Sequence, residues 1–276
     1  MKLVTFAPKN NPSKTQVGIL EGSRVIETDT IQDDLLGLIH QGITPGQSDK
    51  SVALTDTIIK APFRPAKIIG VGRNYAAHAK ELDNELPEAP LLFAKLSSSV
   101  IGHGETIVWS KSITSQVDWE GELAVIIGKT AKNVDEANAM DYVFGYTIAN
   151  DVSARDLQQN DGQWVRAKGL DTFCPLGPCI VTRDEISDPD SLTIKTTVNG
   201  QEMQNSSTSL MMFKIPYLVS YCSQAFTLNP GDIILTGTPA GVGKGMKPPK
   251  FLQSGDIVTI KINGIGKLTN TCRIEK

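Results

Sequence analysis

The sequence predicts an α+β protein that is mainly β, with a small N-terminal α/β module ahead of a larger mixed β domain. Three observations carry this. Short apolar runs recur along the 276 residues with Gly, Pro and Asn between them. Helical patterns are fewer and do not alternate regularly with the strands, as a doubly wound sheet would require. A proline-bearing stretch, Lys60-Ala61-Pro62-Phe63-Arg64-Pro65, separates a module at residues 1–62 from a main domain at 63–276.

Taken in order, Leu3–Ala7, Gln16–Glu21 and Arg24–Glu27 read as strands, the last two joined at Glu21-Gly22-Ser23. Thr30 is placed to cap a helix from Ile31 to His40 that ends at Gly42. His40, in the last turn, suits the helix dipole and reads as structural. Further strands are expected at Lys67–Val71, Leu91–Ala94, Thr106–Trp109, Glu122–Ile127, Val143–Ala149, Leu192–Val198, Asp232–Leu235 and Ile257–Ile262. Helices are expected at Ala76–Glu81, Val134–Met140, Ala154–Gln159 and Ile215–Ala225. Asn199-Gly200 between apolar stretches marks a tight hairpin.

The stretch from Val117 to Asp151 concentrates the chemistry. Val117 to Gly128 reads as a strand buried on both faces. Glu120 and Glu122, two apart, then point the same way with Cα atoms roughly 7 Å from each other. Like charges that close repel, and burial worsens the repulsion, so either one is protonated or a cation lies between them. A solvated edge would continue polar, yet Ala124 and Ile126 follow on the same face. A second apolar run, Tyr142 to Asn150, ends at Asp151, a natural third ligand. Three carboxylates without Cys or His suit a hard cation, Mg²⁺, Mn²⁺ or Ca²⁺, rather than Zn²⁺.

Composition narrows the field. Charged residues are 21% of the chain and the formal net charge is −3, which suggests neither nucleic acid nor an anionic membrane as partner. No apolar run approaches the ~18 residues of a membrane span. The N-terminus reads as a first strand, not a signal peptide. Cys174, Cys179, Cys222 and Cys272 are too scattered for a disulfide framework, and reduced thiols in a cytoplasmic protein fit best. Gly70-Val71-Gly72 lacks the third glycine of a dinucleotide fingerprint, Thr238 to Gly245 fails as a P-loop, and no G-x-S-x-G elbow occurs.

What remains is a set of polar residues at element ends. His78 and Glu81 share a helix face at i and i+3, and a carboxylate beside an imidazole orients it as a general base. Arg155, Gln158 and Lys168 follow Asp151 and can hold a substrate carboxylate or an enolate. Thr236-Gly237-Thr238-Pro239 ends a strand in a turn able to bind an anion.

The order Gly72-Arg73-Asn74-Tyr75-x-x-His78, Asp118-Trp119-Glu120-Gly121-Glu122, Asn150-Asp151-Val152-Ser153-Ala154-Arg155-Asp156, Lys168, Asp171 to Pro178, and Leu235-Thr236-Gly237-Thr238-Pro239 resembles the fumarylacetoacetate hydrolase family. It is similar above all to the stand-alone domain-containing proteins, over about residues 65 to 276. The resemblance implies a mixed β-roll catalytic domain, a homodimer, and Mg²⁺ or Mn²⁺ held by Glu120, Glu122 and Asp151. It also implies a His78–Glu81 dyad on a lid helix, a catalytic Lys168, and Arg73, Tyr75, Arg155, Gln158 and Thr238 in contact with substrate. The name-giving enzyme has a further carboxylate just upstream of its histidine. Gly70–Tyr75 contains none, which points away from fumarylacetoacetate itself.

These features together predict an enzyme acting on small 2-oxo acids through a metal-stabilised enolate. Cleavage of a C–C bond, as in an acylpyruvate hydrolase or oxaloacetate decarboxylase, is the first expectation. Enol–keto tautomerisation of oxaloacetate, or a 2-hydroxymuconate-type isomerisation, is the alternative on the same site. A non-catalytic 2-oxo-acid-binding or scaffold protein is the alternative of another class.

Overall fold

A computed structural model describes residues 1–30 and 32–275. The N-terminal stretch forms β1 (Lys2–Pro8), β2 (Gln16–Glu21), β3 (Arg24–Thr28), α1 (Leu35–Gln41), β4 (Gln47–Ala53) and β5 (Thr57–Ile59). Asp34, not Thr30, caps α1, accepting from the Leu36 N–H at 2.9 Å. Two acidic residues before the first leucine make Asp34 the better acceptor, so the helix starts later than the sequence predicts. Ile31 lies outside the described residues. Gly42 closes the helix in the left-handed conformation, as expected. His40 Nε2 lies 3.1 Å from the carbonyl of Pro230, a structural contact.

The central strands follow: β6 (Ile68–Gly72), α2 (Ala76–Glu81), β7 (Leu91–Lys95), β8 (Val100–Ile101), β9 (Thr106–Ser110), β10 (Val117–Asp118), β11 (Gly121–Ile127), β12 (Val143–Asn150) and β13 (Ser153–Ala154). Two short helices, α3 (Arg155–Asn160) and α4 (Val165–Lys168), lead to β14 (Cys174–Thr182), β15 (Thr193–Val198), β16 (Gln201–Ser207), α5 (Ile215–Ala225), β17 (Ile233–Leu235), β18 (Ile257–Ile262) and β19 (Gly266–Glu275). The helix expected at Val134–Met140 is a 3₁₀ segment, Glu136–Tyr142. The hairpin at Asn199-Gly200 is present, both residues at positive φ and Val198 opposite Gln201.

Among the described residues one large sheet runs β4-β3-β2-β1-β14-β12-β11-β17-β6-β7, and a second runs β16-β15-β18-β19-β9. The architecture is mainly β with mixed pairing, as the sequence predicts. The N-terminal strands join the large sheet through β1 against β14. Leu35, Leu38 and Ile39 of α1 pack in one core with Ala124, Ile126, Ile180 and Ile233. The strand expected to run unbroken from Val117 to Gly128 is interrupted at Trp119 and Glu120, between β10 and β11. Trp119 is fully buried there, its indole N–H donating to Gly241 O at 3.0 Å. The four cysteines are buried and unpaired. Among the described residues no helix is long and apolar enough to cross a membrane.

Candidate metal centre and substrate cavity

Antiparallel pairing sets Gly121 opposite Asn150 and Glu122 opposite Ala149, so the start of β11 meets the end of β12. Glu120 and Glu122 therefore face Asp151, and ligand oxygens of all three lie within 4.8 Å of one another. The intervening glycine is required by packing. A Cβ at Gly121 would stand 2.4 Å from Thr196 Oγ1 of the second sheet. That close approach also lets Gln204 Oε1 accept from the Gly121 N–H at 3.0 Å.

Three cations are buried among these acids. Lys168 Nζ, at the end of α4, lies 2.7 Å from Glu120 Oε2 and 2.6 Å from Asp151 Oδ2. Lys95 Nζ, at the end of β7, lies 2.7 Å from Asp151 Oδ1, a contact outside hydrogen-bond geometry, and also donates to Lys168 O. Arg155 puts Nε 2.8 Å from Asp118 Oδ2, Nη2 2.6 Å from Glu120 Oε1 and Nη1 3.0 Å from Gln158 Oε1. Four buried carboxylates thus face three buried cations. Glu122 is the one left over, its Oε2 accepting, among the described residues, only from the Gly237 N–H at 2.7 Å.

The protonation preferences follow from that imbalance. Burial, with Asp151 and Glu120 nearby, pushes the Glu122 carboxyl well above the usual range. Burial acts the same way on Glu120, but Lys168, Arg155 and His78 overcome it and hold that carboxyl well below the usual range. Burial would lower Lys168, yet Asp151 and Glu120 raise it, so it stays an ammonium ion. One unmatched buried carboxylate, converging with two others and with oxygen donors only, fits a hard divalent ion.

The carboxylates open into a cavity of about 310 Å³. Of the residues the sequence singled out, Arg73, His78, Glu120, Glu122, Arg155, Gln158, Lys168 and Thr238 line it. Glu81 and Asp151 stand behind them. Glu81 Oε2 is 3.4 Å from His78 Nδ1, and its Oε1 accepts from the Gly241 N–H at 2.9 Å, tying α2 to the 236–245 loop. Thr238 Oγ1 is already committed, donating to Gly121 O at 3.0 Å and accepting from Gln204 Nε2 at 2.7 Å. Tyr75 lies elsewhere: it is 2% exposed in the core behind the wall, and among the described residues its hydroxyl has no hydrogen-bond partner.

Sequence reasoning missed Lys95, Phe93 and Trp164, and left Asp118 without a role. Lys95 carries a readable signal, a lone charge between apolar Leu91–Ala94 and Leu96. Trp164 stands among polar residues that read as a loop. In the fold it meets Phe93 edge to face at 5.3 Å, and Lys168 Nζ sits 5.0 Å above the Phe93 ring.

Fold and site together define a class: mainly β, with a buried carboxylate triad set beside a His–Glu pair in a polar cavity. The sequence profile of the Fumarylacetoacetate (FAA) hydrolase C-terminal family matches residues 67–273, and the chain belongs to that family. "Oxaloacetate tautomerase fahd2, mitochondrial" of Xenopus laevis is 41% identical, over 98% of this chain and 89% of the relative. A fumarylacetoacetate hydrolase from Exiguobacterium antarcticum is 41% identical, with a TM-score of 0.90 and full coverage of both chains. A maleylpyruvate hydrolase from Sphingobium, solved with manganese(II) and pyruvate, is 29% identical, with a TM-score of 0.81 and full coverage of both. The relatives thus include tautomerases and hydrolases.

Proposed function

We propose that the protein is a divalent-metal-dependent enzyme of small 2-oxo acids that interconverts enol and keto forms. The observation that carries this is the number of proton carriers in the cavity. Lys168 and Arg155 are locked as cations by their ion pairs, whereas the His78 imidazole, held by Glu81, is placed in the cavity wall to take and return a proton. Tautomerisation needs one such group, taking a proton at one end of the enol and returning it at the other. A cation held by Glu120, Glu122 and Asp151 would supply Lewis acidity toward a 2-keto oxygen and its carboxylate.

The chain's own residues do the rest. His78, oriented by Glu81, moves the proton at C3. Lys168 faces developing charge on the keto oxygen. Gln158 has its carbonyl occupied by Arg155, which leaves its amide N–H groups to donate to the substrate carboxylate. The name of the Xenopus relative supports this reading over cleavage. Cleavage of a C–C bond remains the second reading, supported by the hydrolase neighbours and by the same dyad serving to activate water.

Oxaloacetate, followed by its enol absorbance and by a coupled pyruvate assay, separates the two with Mg²⁺ or Mn²⁺ present. Tautomerisation predicts fast enol–keto exchange with no pyruvate above background. Pyruvate release from oxaloacetate or an acylpyruvate at a comparable rate would replace it with the cleavage reading. Full exchange activity in excess EDTA would defeat both.

A further inference from the structure

Of the three inner cations, Arg155 and Lys168 stand in the cavity wall and Lys95 stands behind it. The Lys95 side chain is 0% exposed, so it acts on the reaction only through its neighbours. An ammonium buried that deeply is costly unless its N–H groups find partners.

Those partners are the two ends of one segment. The chain leaves Asp151 at Val152, runs through α3 and α4, and returns at Lys168, bringing Arg155, Gln158 and Trp164 to the cavity on the way. Lys95 Nζ donates to Val152 O at 3.3 Å and to Lys168 O. The Lys168 carbonyl ends α4, where the helix itself supplies no donor. One ammonium thus ties the residue after a candidate metal ligand to the backbone of the lysine that faces the substrate.

The strand that bears it is braced for this. Phe93 and Lys95, two apart, share a face of β7. Phe93 sets its ring 5.0 Å from Lys168 Nζ, and a Cβ at Gly70 of neighbouring β6 would stand 2.2 Å from its Cζ. A Cβ at Gly169, just after α4, would stand 2.9 Å from Leu96 Cγ. β7 therefore grips Lys168 at both ends, Phe93 beneath the ammonium and Lys95 at the carbonyl. Lys95 Nζ also lies 2.7 Å from Asp151 Oδ1, an oxygen with no hydrogen-bond partner among the described residues. Its directed bonds go to carbonyls and its charge to the carboxylate, which keeps lone pairs open to a cation.

We infer that Lys95 is a positioning residue of this site: through Val152 and Lys168 it sets how the metal ligand Asp151 stands relative to the Lys168 ammonium. This rests on the metal-dependent reading above. Removing a residue that orients a metal ligand commonly costs about tenfold to a hundredfold in affinity or activity.

Charge and position make opposite demands on the cation. Were Lys95 only a counter-charge, its removal would leave the cluster more negative and Mn²⁺ would bind tighter. A positioning residue requires weaker binding instead. Lys95→Met removes the ammonium at similar length, whereas Lys95→Gln, also neutral, keeps two N–H donors. Calorimetric Mn²⁺ titrations should show Kd raised about tenfold in Met and less than about threefold in Gln. In enol–keto exchange of oxaloacetate, Met should lower kcat about tenfold to a hundredfold with KM within about threefold. A cooperative urea transition identifies the folded variants, and if Met gives none the sign of the change in Gln decides. Mn²⁺ bound by folded Met as tightly as by wild type, or tighter, overturns the inference, and so does tighter binding by Gln. A urea midpoint that falls while Kd and kcat hold would make Lys95 a brace of the fold and overturn it too. Failure of wild type to bind Mn²⁺ would overturn the function proposed for the site itself.

Discussion

The inner and outer parts of the cavity use positive charge in opposite ways. Lys95, Arg155 and Lys168 are almost wholly buried and spent on Asp118, Glu120 and Asp151. Arg73 and Lys244 are half-buried and, among the described residues, their side chains make no ion pair or hydrogen bond. Inside, the cations are structural as much as chemical, because four acids could not be desolvated together without them. At the mouth, where water still reaches the side chains, an unpaired cation is cheap to keep. Residue type alone therefore does not assign a role; burial and pairing do.

The comparison breaks most visibly at Arg155. Arg155→Met removes the guanidinium that holds both Asp118 and Glu120, leaving buried carboxylates with less compensation. Stability should fall by about 3 to 5 kcal/mol, read as a shifted urea midpoint at constant slope. A loss under about 1 kcal/mol would mean that water already screens the cluster.

Glu122 should show the reverse behaviour, and with a smaller effect. Its folded pKa is raised, so its contribution to stability is fully present below the ordinary carboxyl range and is lost as pH rises through the folded value. Metal-free wild type should lose stability as pH climbs above that range, whereas Glu122→Gln should not. At the upper end the variant should be more stable by on the order of 1 kcal/mol or more, since its amide oxygen still accepts from Gly237. Mg²⁺ should stabilise wild type and not the variant, and turnover should drop at least about a hundredfold. A variant less stable than metal-free wild type at every pH would show that Glu122 is a structural hydrogen-bond acceptor.

Much of this site was legible because its residues sit where periodicity can be read. Glu120 and Glu122 interrupt an apolar strand, Asp151 ends another, and His78 and Glu81 share a short helix. The strands that escaped notice carry the wrong local chemistry. β14 lies between β1 and β12, yet Pro175, Gly177 and Pro178 break its pattern, and Pro175 finds its place beside the two-residue β8. β4 and β16 are polar along their length, as strands at the ends of their sheets can be. Arg73 and Lys244 show the further limit: their isolation is a property of what surrounds them in space, and no spacing encodes it.

Glu81 joins the two parts, and its substitution should give the smallest and sharpest effect. One oxygen faces His78 and the other accepts from Gly241 in the loop that carries Lys244. Glu81→Gln keeps an acceptor for Gly241 but loses the negative charge beside the imidazole. Glu81→Ala loses both. If orientation of His78 is the main role, both variants should lower kcat on oxaloacetate about tenfold to a hundredfold, with KM unchanged in Gln and raised about threefold in Ala. The difference isolates the loop tether, because only Ala frees the segment on which Lys244 rides. Identical KM in the two variants would mean that the contacts of Asp118 with Gly243 and Lys244 suffice to hold that loop, and the mouth would then be independent of the helix.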